Sequence, residues 1–144
     1  MFMKYADIYK INGCLIICSS KQTVTGLIIL QEPYIKLPLE TTNHKEVVES
    51  IFKCLNAFIK DVPHPTTWDT DGFFLKSIGI KSNKELHKNS ISCGVEQYSE
   101  NLVFTPTLNN GKGFNETGEK IVVENHESYE AIYQGLQKAL ALCR

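Results

Sequence analysis

The chain has 144 residues, of which 42% are hydrophobic and 22% are charged, and its formal net charge is -1 at pH 7. This length and composition predict one soluble globular domain with a single core, and they exclude a disordered chain and a fibrous repeat. The near-neutral charge argues against a general polyanion binder, because nucleic-acid binding modules usually carry a clear excess of basic residues.

The N-terminal part of the chain predicts three strands. Residues 5–11 and 14–18 are strand-like and flank Asn12-Gly13, the dipeptide best suited to a tight type I′ hairpin turn. Residues 19–25 are predicted to be a polar connection. A third strand region at 27–37 is interrupted by Pro33, which cannot donate a hydrogen bond to a ladder, so we expect this region at an edge or a bend.

The middle of the chain predicts a long helix followed by irregular structure. Asn43 and Glu46 have the spacing of a capping box, and apolar residues recur on one face of a helix at 44–60. Two prolines shortly after it end the helix. Residues 66–81 predict a packed loop with room for one short strand, and a second capping box opens a short helix at 82–89.

The last part returns to strands and closes with a helix. Residues 91–96 alternate as in a strand with one buried face, and residues 102–107 pair back on it after a turn. A glycine-rich loop precedes a final strand at 120–124. Asn125 or Ser128 then caps an amphipathic helix that runs to about Cys143.

This order of elements predicts an α+β fold. We expect one domain over residues 1–144, in which a mixed, mainly antiparallel sheet of about six strands is packed by two long helices. No apolar run is long enough to span a bilayer, and the first ten residues lack a secretory signal, so we expect a cytoplasmic protein.

The five cysteines are odd in number and widely spaced, which is not the pattern of a disulfide framework. Cys14 and Cys18 lie on a predicted strand, too far apart for one tetrahedral ion, and no histidine cluster completes them. We therefore expect buried, inert thiols, no metal and no cofactor.

One irregular segment could carry catalysis. His64 lies between two prolines near Asp61, Asp69 and Asp71, which could supply a general base and the carboxylate that orients it. No nucleophile elbow, P-loop or zinc-protease motif accompanies them. An acidic surface loop is the favoured interpretation, and a small hydrolase centred on His64 is the alternative.

Two further features of the sequence have the composition of binding elements. Residues 109–114 suggest a phosphate-binding loop only through their glycines, and Phe114 leads into a strand rather than a helix, which indicates a surface turn anchored by that ring. Trp68 stands between threonines and acids. A loop tryptophan of this kind either anchors a protein interface or pins its own loop to the domain.

The last part of the chain also resembles a known family. The resemblance rests on the strand Ser90-Ile91-Ser92-Cys93-Gly94-Val95, the strand Leu102-Val103-Phe104-Thr105-Pro106-Thr107, the Gly111, Gly113 and Phe114 loop, and a leucine- and alanine-rich helix closed by Cys143. Over residues 90–144 these motifs are similar to those of the immunity proteins (CdiI) of bacterial contact-dependent growth inhibition systems.

The resemblance implies a cytoplasmic protein without enzymatic activity. Such a protein binds the C-terminal toxin domain of a cognate secreted effector, in many cases a nuclease and in some a ribonuclease. We expect a monomer that binds its toxin 1:1, without direct contact to nucleic acid or membrane. A regulatory module that binds another protein through a sheet edge is a further alternative.

Electrostatics predicts where such a toxin would bind. A nuclease active site is electropositive because it holds phosphates, so an inhibitor gains association rate and specificity by presenting carboxylates. Acids and aromatics share two surface segments, the irregular segment after the first helix and the turn near residue 98. The predicted toxin-binding residues are Asp61, Trp68, Asp69, Asp71, Glu96, Tyr98 and Glu100.

Overall fold

The computed structural model describes residues 3–66, 73–111, 113–124 and 127–144. Within these ranges the chain forms one eight-stranded sheet and four helices, which confirms the α+β class. The strands are β1 (Lys4–Ile11), β2 (Cys14–Thr23), β3 (Ile28–Pro38), β4 (Ile59–Val62), β5 (Ser90–Gln97), β6 (Asn101–Asn109), β7 (Phe114–Glu116) and β8 (Ile121–Glu124). The helices are α1 (His44–Asn56), α2 (Phe73–Ile78), α3 (Asn83–Asn89) and α4 (Tyr129–Leu142).

The sheet is mixed and mainly antiparallel, as predicted. Its order is β3-β2-β1-β5-β6-β7, with β8 pairing with β6 and β4 pairing in parallel with β2. The β1–β2 hairpin turns at Asn12 and Gly13, whose φ angles of 49° and 76° confirm the predicted turn chemistry. The β3 strand contains Pro33 and lies at the sheet edge, as expected.

Helices α1 and α4 cover one face of the sheet. Their buried residues pack on alternate residues of the central strands, and the largest of these side chains are Ile8, Leu15, Ile17, Ile51, Leu55, Leu102, Phe104, Ile132 and Leu136. Asn43 caps α1 by accepting a hydrogen bond from the Glu46 amide at 2.8 Å, and Ser128 caps α4 in the same way. Both predicted caps are thus confirmed.

The first long helix ends earlier than predicted. It stops at Asn56 rather than at Lys60, and Ile59–Val62 forms β4 instead. Lys21 pairs with Ile59 and Thr23 with Val62. Pairing with the end of β2 therefore outweighs the helical pattern of this segment, which the local sequence could not show.

Helices α2 and α3 cover part of the other face. Tyr9, Ile16, Phe74, Ile78 and Leu86 belong to a second, smaller core there. The prediction of a loop over residues 66–81 is wrong for its second half, because α2 forms where two apolar residues four apart can pack on the sheet. The short helix at residues 82–89 is confirmed.

Two strand predictions need correction. Residues 19–23 continue β2 rather than forming a polar connection, and the Ser19 hydroxyl is buried and donates to the Cys54 carbonyl at 2.8 Å. In β5 both faces are buried, not one, because Ser90 and Ser92 lie on the face that the second core covers. The three-residue strand β7 was not predicted.

All five cysteines are free, and Cys18, Cys54 and Cys93 are buried. Burial raises the pKa of all three thiols, that of Cys54 to about 12. They are therefore protonated at neutral pH and poorly nucleophilic, as expected of thiols that serve packing.

Candidate functional site

The turn between β5 and β6 presents two carboxylates and a phenol. Its backbone closes through a hydrogen bond from the Tyr98 amide to the Asn101 carbonyl at 2.8 Å. The Tyr98 hydroxyl donates to Glu96 Oε2, and this bond raises the pKa of Tyr98. Glu100 is exposed at the turn itself. The predicted residues Glu96, Tyr98 and Glu100 thus lie at one turn, where Tyr98 is bonded to Glu96.

The register of the strands places β4 at the same end of the sheet as this turn. Lys4 at the start of β1 pairs with Gln97 at the end of β5. The strand β4 pairs with the last residues of β2, which extend beyond Ser19, the partner of Ala6. The strand β4 and the end of β5 therefore lie at the same end of the sheet, on either side of the start of β1.

Of the predicted residues in the irregular segment, the structure describes Asp61. Its side chain is exposed on β4, and its φ of 60° places it in the left-handed region, which aspartate tolerates better than most residues. Trp68, Asp69 and Asp71 lie outside the described residues. Their part in a binding site stays a prediction.

Two further acids belong to this end of the molecule and were not predicted. Glu124 at the end of β8 pairs with Asn101, and the Glu127 amide donates to the Glu124 carbonyl at 3.2 Å. Both carboxylates are exposed. We call the set Asp61, Glu96, Glu100, Glu124 and Glu127 the acidic end. Nothing in the local sequence shows the pairing of β8 with β6 that brings Glu124 and Glu127 beside the turn.

A carboxyl–phenol pair lies next to the acidic end on β1. Tyr5 stands opposite Glu96, and its hydroxyl donates to Asp7 Oδ1 at 3.0 Å. Burial raises the pKa of Asp7 to about 6, although the hydrogen bond from Tyr5 acts in the opposite direction. The pair needs Gly94, because a Cβ there would lie 2.7 Å from the Tyr5 hydroxyl. The sequence signal was an acid and a tyrosine two apart in a strand, which share one face.

His64 is exposed, and its Nδ1 atom lies 3.4 Å from the Thr25 hydroxyl. Two of the aspartates that could orient it for catalysis, Asp69 and Asp71, are among the residues that are not described. The hydrolase alternative therefore rests on the sequence pattern alone.

The glycine-rich loop is a turn, as predicted. The Asn109 side chain accepts from the Gly111 amide and that of Asn110 from the Gly113 amide, both at 2.9 Å. Phe114 is half-buried with its ring centroid 5.7 Å from that of Tyr9. Asn side chains thus occupy amides that a phosphate would need.

Within the described ranges, no group of three or more His, Cys, Asp or Glu side chains is placed to hold a metal ion. In the same residues no helix has the length and apolar character needed to cross a membrane.

No family model and no curated protein sequence matches this chain. The fold is similar to that of a protein of unknown function from Neisseria meningitidis, with a TM-score of 0.81 and 19% identity, covering 99% of this chain and 96% of that one. It is also similar to a chain of the CdiA-CT/CdiI toxin and immunity complex from Yersinia pseudotuberculosis, with a TM-score of 0.69 and 16% identity, covering 100% and 99%. The whole chain thus has a fold that occurs in a toxin and immunity complex.

Proposed function

We propose that this chain is an immunity protein that binds and neutralises the C-terminal toxin domain of a cognate contact-dependent growth inhibition effector. It acts in the cytoplasm as a non-enzymatic inhibitor, one copy per toxin domain. The observation that carries the proposal is the fold likeness over the full chain to a component of a toxin and immunity complex. The motifs of residues 90–144 support it independently, because they concern side chains rather than the path of the backbone.

The charge of the acidic end supports a nuclease as the toxin. Four of its five carboxylates come from β5, the turn that follows it, the end of β8 and the segment after β8, and β5 and β8 both pair with β6. An electropositive phosphate-binding site would be attracted to this end and held there. A ribonuclease is the nuclease class we favour from the family resemblance.

The toxin-binding residues in this proposal are Glu96, Tyr98 and Glu100 at the turn and Asp61 on β4. Trp68, Asp69 and Asp71, which follow β4 in the chain, are retained as part of the same surface. Tyr98 supplies an aromatic side chain held in place by Glu96, a type of residue that often contributes much of the binding energy of an interface.

The proposal is tested by co-expression of this chain with the C-terminal domain of the neighbouring effector. We expect cell survival and co-purification of the two chains, whereas the toxin domain alone should stop growth. The His64→Ala variant should protect cells as well as the wild type, because the proposed protein is an inhibitor that binds its toxin and has no catalytic histidine. Loss of both survival and co-purification for the wild type would overturn the assignment.

Charge reversal of Glu100 tests the surface. Glu100→Lys should weaken toxin binding about tenfold or more, because it places a cation against an electropositive site while the exposed side chain contributes little to folding. The matched control is Lys84→Glu on α3, also exposed and on another part of the surface. Equal affinity of Glu100→Lys and wild type, measured by titration calorimetry, would remove this surface from the proposal.

A further inference from the structure

A groove lies between the second half of α1 and the start of α4. Its volume is about 670 Å³. Phe52, Tyr129 and Ile132 form its apolar wall, and Glu49, Lys53 and Glu127 supply charged groups at its sides. The groove is open to solvent, and 44% of Tyr129 is exposed.

The chemistry of the groove fits a long basic side chain. Apolar walls accommodate the methylene stem of a lysine or arginine, and carboxylates bind its charged head. The ring of Tyr129 adds apolar area to this wall, and the chain's own Lys45 Nζ lies 5.8 Å from its centroid. Among the described residues no ion pair joins Glu49 to Lys53, so the Glu49 carboxylate is available to a partner.

The groove is continuous with the acidic end. Glu127 stands at the groove and also belongs to the acidic end, where its amide is bonded to the Glu124 carbonyl. Glu124 in turn pairs with Asn101, the residue after Glu100. Hydrogen-bonded backbone segments thus connect the β5–β6 turn to the groove. A partner that covers the turn can therefore also contact the groove.

We propose that this α1–α4 groove receives a lysine or arginine side chain of the same toxin domain, so that the interface extends from the acidic end onto the helical face. The inference rests on the proposed function and adds the groove to its binding surface. The charge of the occupant follows from Glu49 and Glu127, which outnumber Lys53 in the lining of the groove.

The test is toxin affinity of groove variants measured by titration calorimetry with the purified toxin domain. Tyr129→Ala and Glu127→Lys should each weaken binding about tenfold or more, because each removes one part of the socket for the basic side chain. Glu127→Gln should have a smaller effect in the same direction. Lys138→Ala, exposed on α4 outside the groove, is the control and should bind like the wild type.

The unfolding temperature of each variant is measured in parallel, so that weakened binding can be separated from misfolding. Replacing the basic toxin residue by glutamate should restore the affinity of Glu127→Lys. Groove variants that fold and bind as tightly as the wild type, while Glu100→Lys binds weakly, would overturn the groove alone. Absence of wild-type binding would instead overturn the proposed function and the groove with it.

Discussion

At the scale of single residues, Asp7 is the least expected feature of the molecule. An acid in the middle of a central strand is normally excluded from such a position, because burial disfavours its charged form. Here Tyr5 supplies a hydrogen bond to the carboxyl, and Gly94 leaves room for the Tyr5 ring. Tyr5 lies opposite Glu96, so this buried pair supports one residue of the acidic end.

The raised pKa of Asp7 predicts a pH-dependent stability. Well below the ordinary pKa of 3.8 the carboxyl is protonated in both the folded and the unfolded chain. Between 3.8 and the folded-state pKa of about 6, the folded chain holds the proton more tightly. Stability therefore falls as pH rises through this window, by about 2–3 kcal/mol at most. Asp7→Asn should remove this loss and be more stable than the wild type near pH 7.5.

Urea unfolding of both proteins at about pH 4.5 and about pH 7.5 measures the effect, and the difference between them should grow with pH. Tyr5→Phe is the informative companion, since loss of its hydroxyl removes the bond that lowers the pKa of Asp7. It should steepen the loss of stability. A difference between Asp7→Asn and wild type that is the same at both pH values would contradict this account.

At the scale of elements, the position of α4 depends on Gly135. This residue is buried in the helix, and a Cβ there would overlap Cγ2 of Val123 on β8 and approach the ring of Phe104 to 3.5 Å. Glycine costs a helix about 1 kcal/mol relative to alanine. The close approach of α4 to the sheet offsets that cost, and it also sets where Tyr129 and the groove lie.

Gly135→Ala should therefore destabilise the protein by about 1–3 kcal/mol despite the better helix propensity of alanine, because an overpacked core must move backbone or side chains. Denaturant unfolding gives the value. Lys138→Ala, exposed on the same helix, should change stability by less than about 0.5 kcal/mol. A Gly135→Ala protein as stable as the wild type would show that Val123 can move aside at little cost.

At the scale of the whole molecule, the net charge of -1 conceals a separation of charge. Four exposed lysines lie on α2, α3 and the segment between them: Lys76, Lys81, Lys84 and Lys88. The same stretch contains one acidic residue, Glu85. The helix α3 leads into β5 at Ser90, whereas the acidic end lies beyond Gln97 at the other end of that strand. The exposed lysines of α2 and α3 are therefore separated from the acidic end, which itself carries only Lys4 and Lys60 near its carboxylates among the residues of β1 and β4.

Such a charge distribution should orient the protein toward a basic partner before contact. The association rate constant with the proposed toxin partner should fall about tenfold or more between about 50 mM and about 500 mM salt, while the dissociation rate changes little. Stopped-flow measurements on the wild type and Glu100→Lys test this, and the variant should show a lower rate and a weaker salt dependence. A rate independent of salt would contradict steering.

Local signals in the sequence were sufficient to predict most elements of this fold. Asn12-Gly13 predicted the hairpin, and side-chain caps predicted the starts of α1, α3 and α4, because each of these features acts within a few residues. The segment at residues 59–62 was mispredicted as helix, since its strand forms only through pairing with distant β2. Helix α2 likewise depends on packing against the sheet.

The sequence by itself determined the α+β class, the motifs of residues 90–144 and the candidate acids at the β5–β6 turn. Only the tertiary structure brought Glu124 and Glu127 to the end of the sheet that carries Glu100, placed Tyr5 opposite Glu96 and formed the groove at Tyr129. The physical reason is that capping and turn formation depend on neighbours in sequence, whereas a surface for a partner is assembled by pairing and packing between segments far apart in the chain.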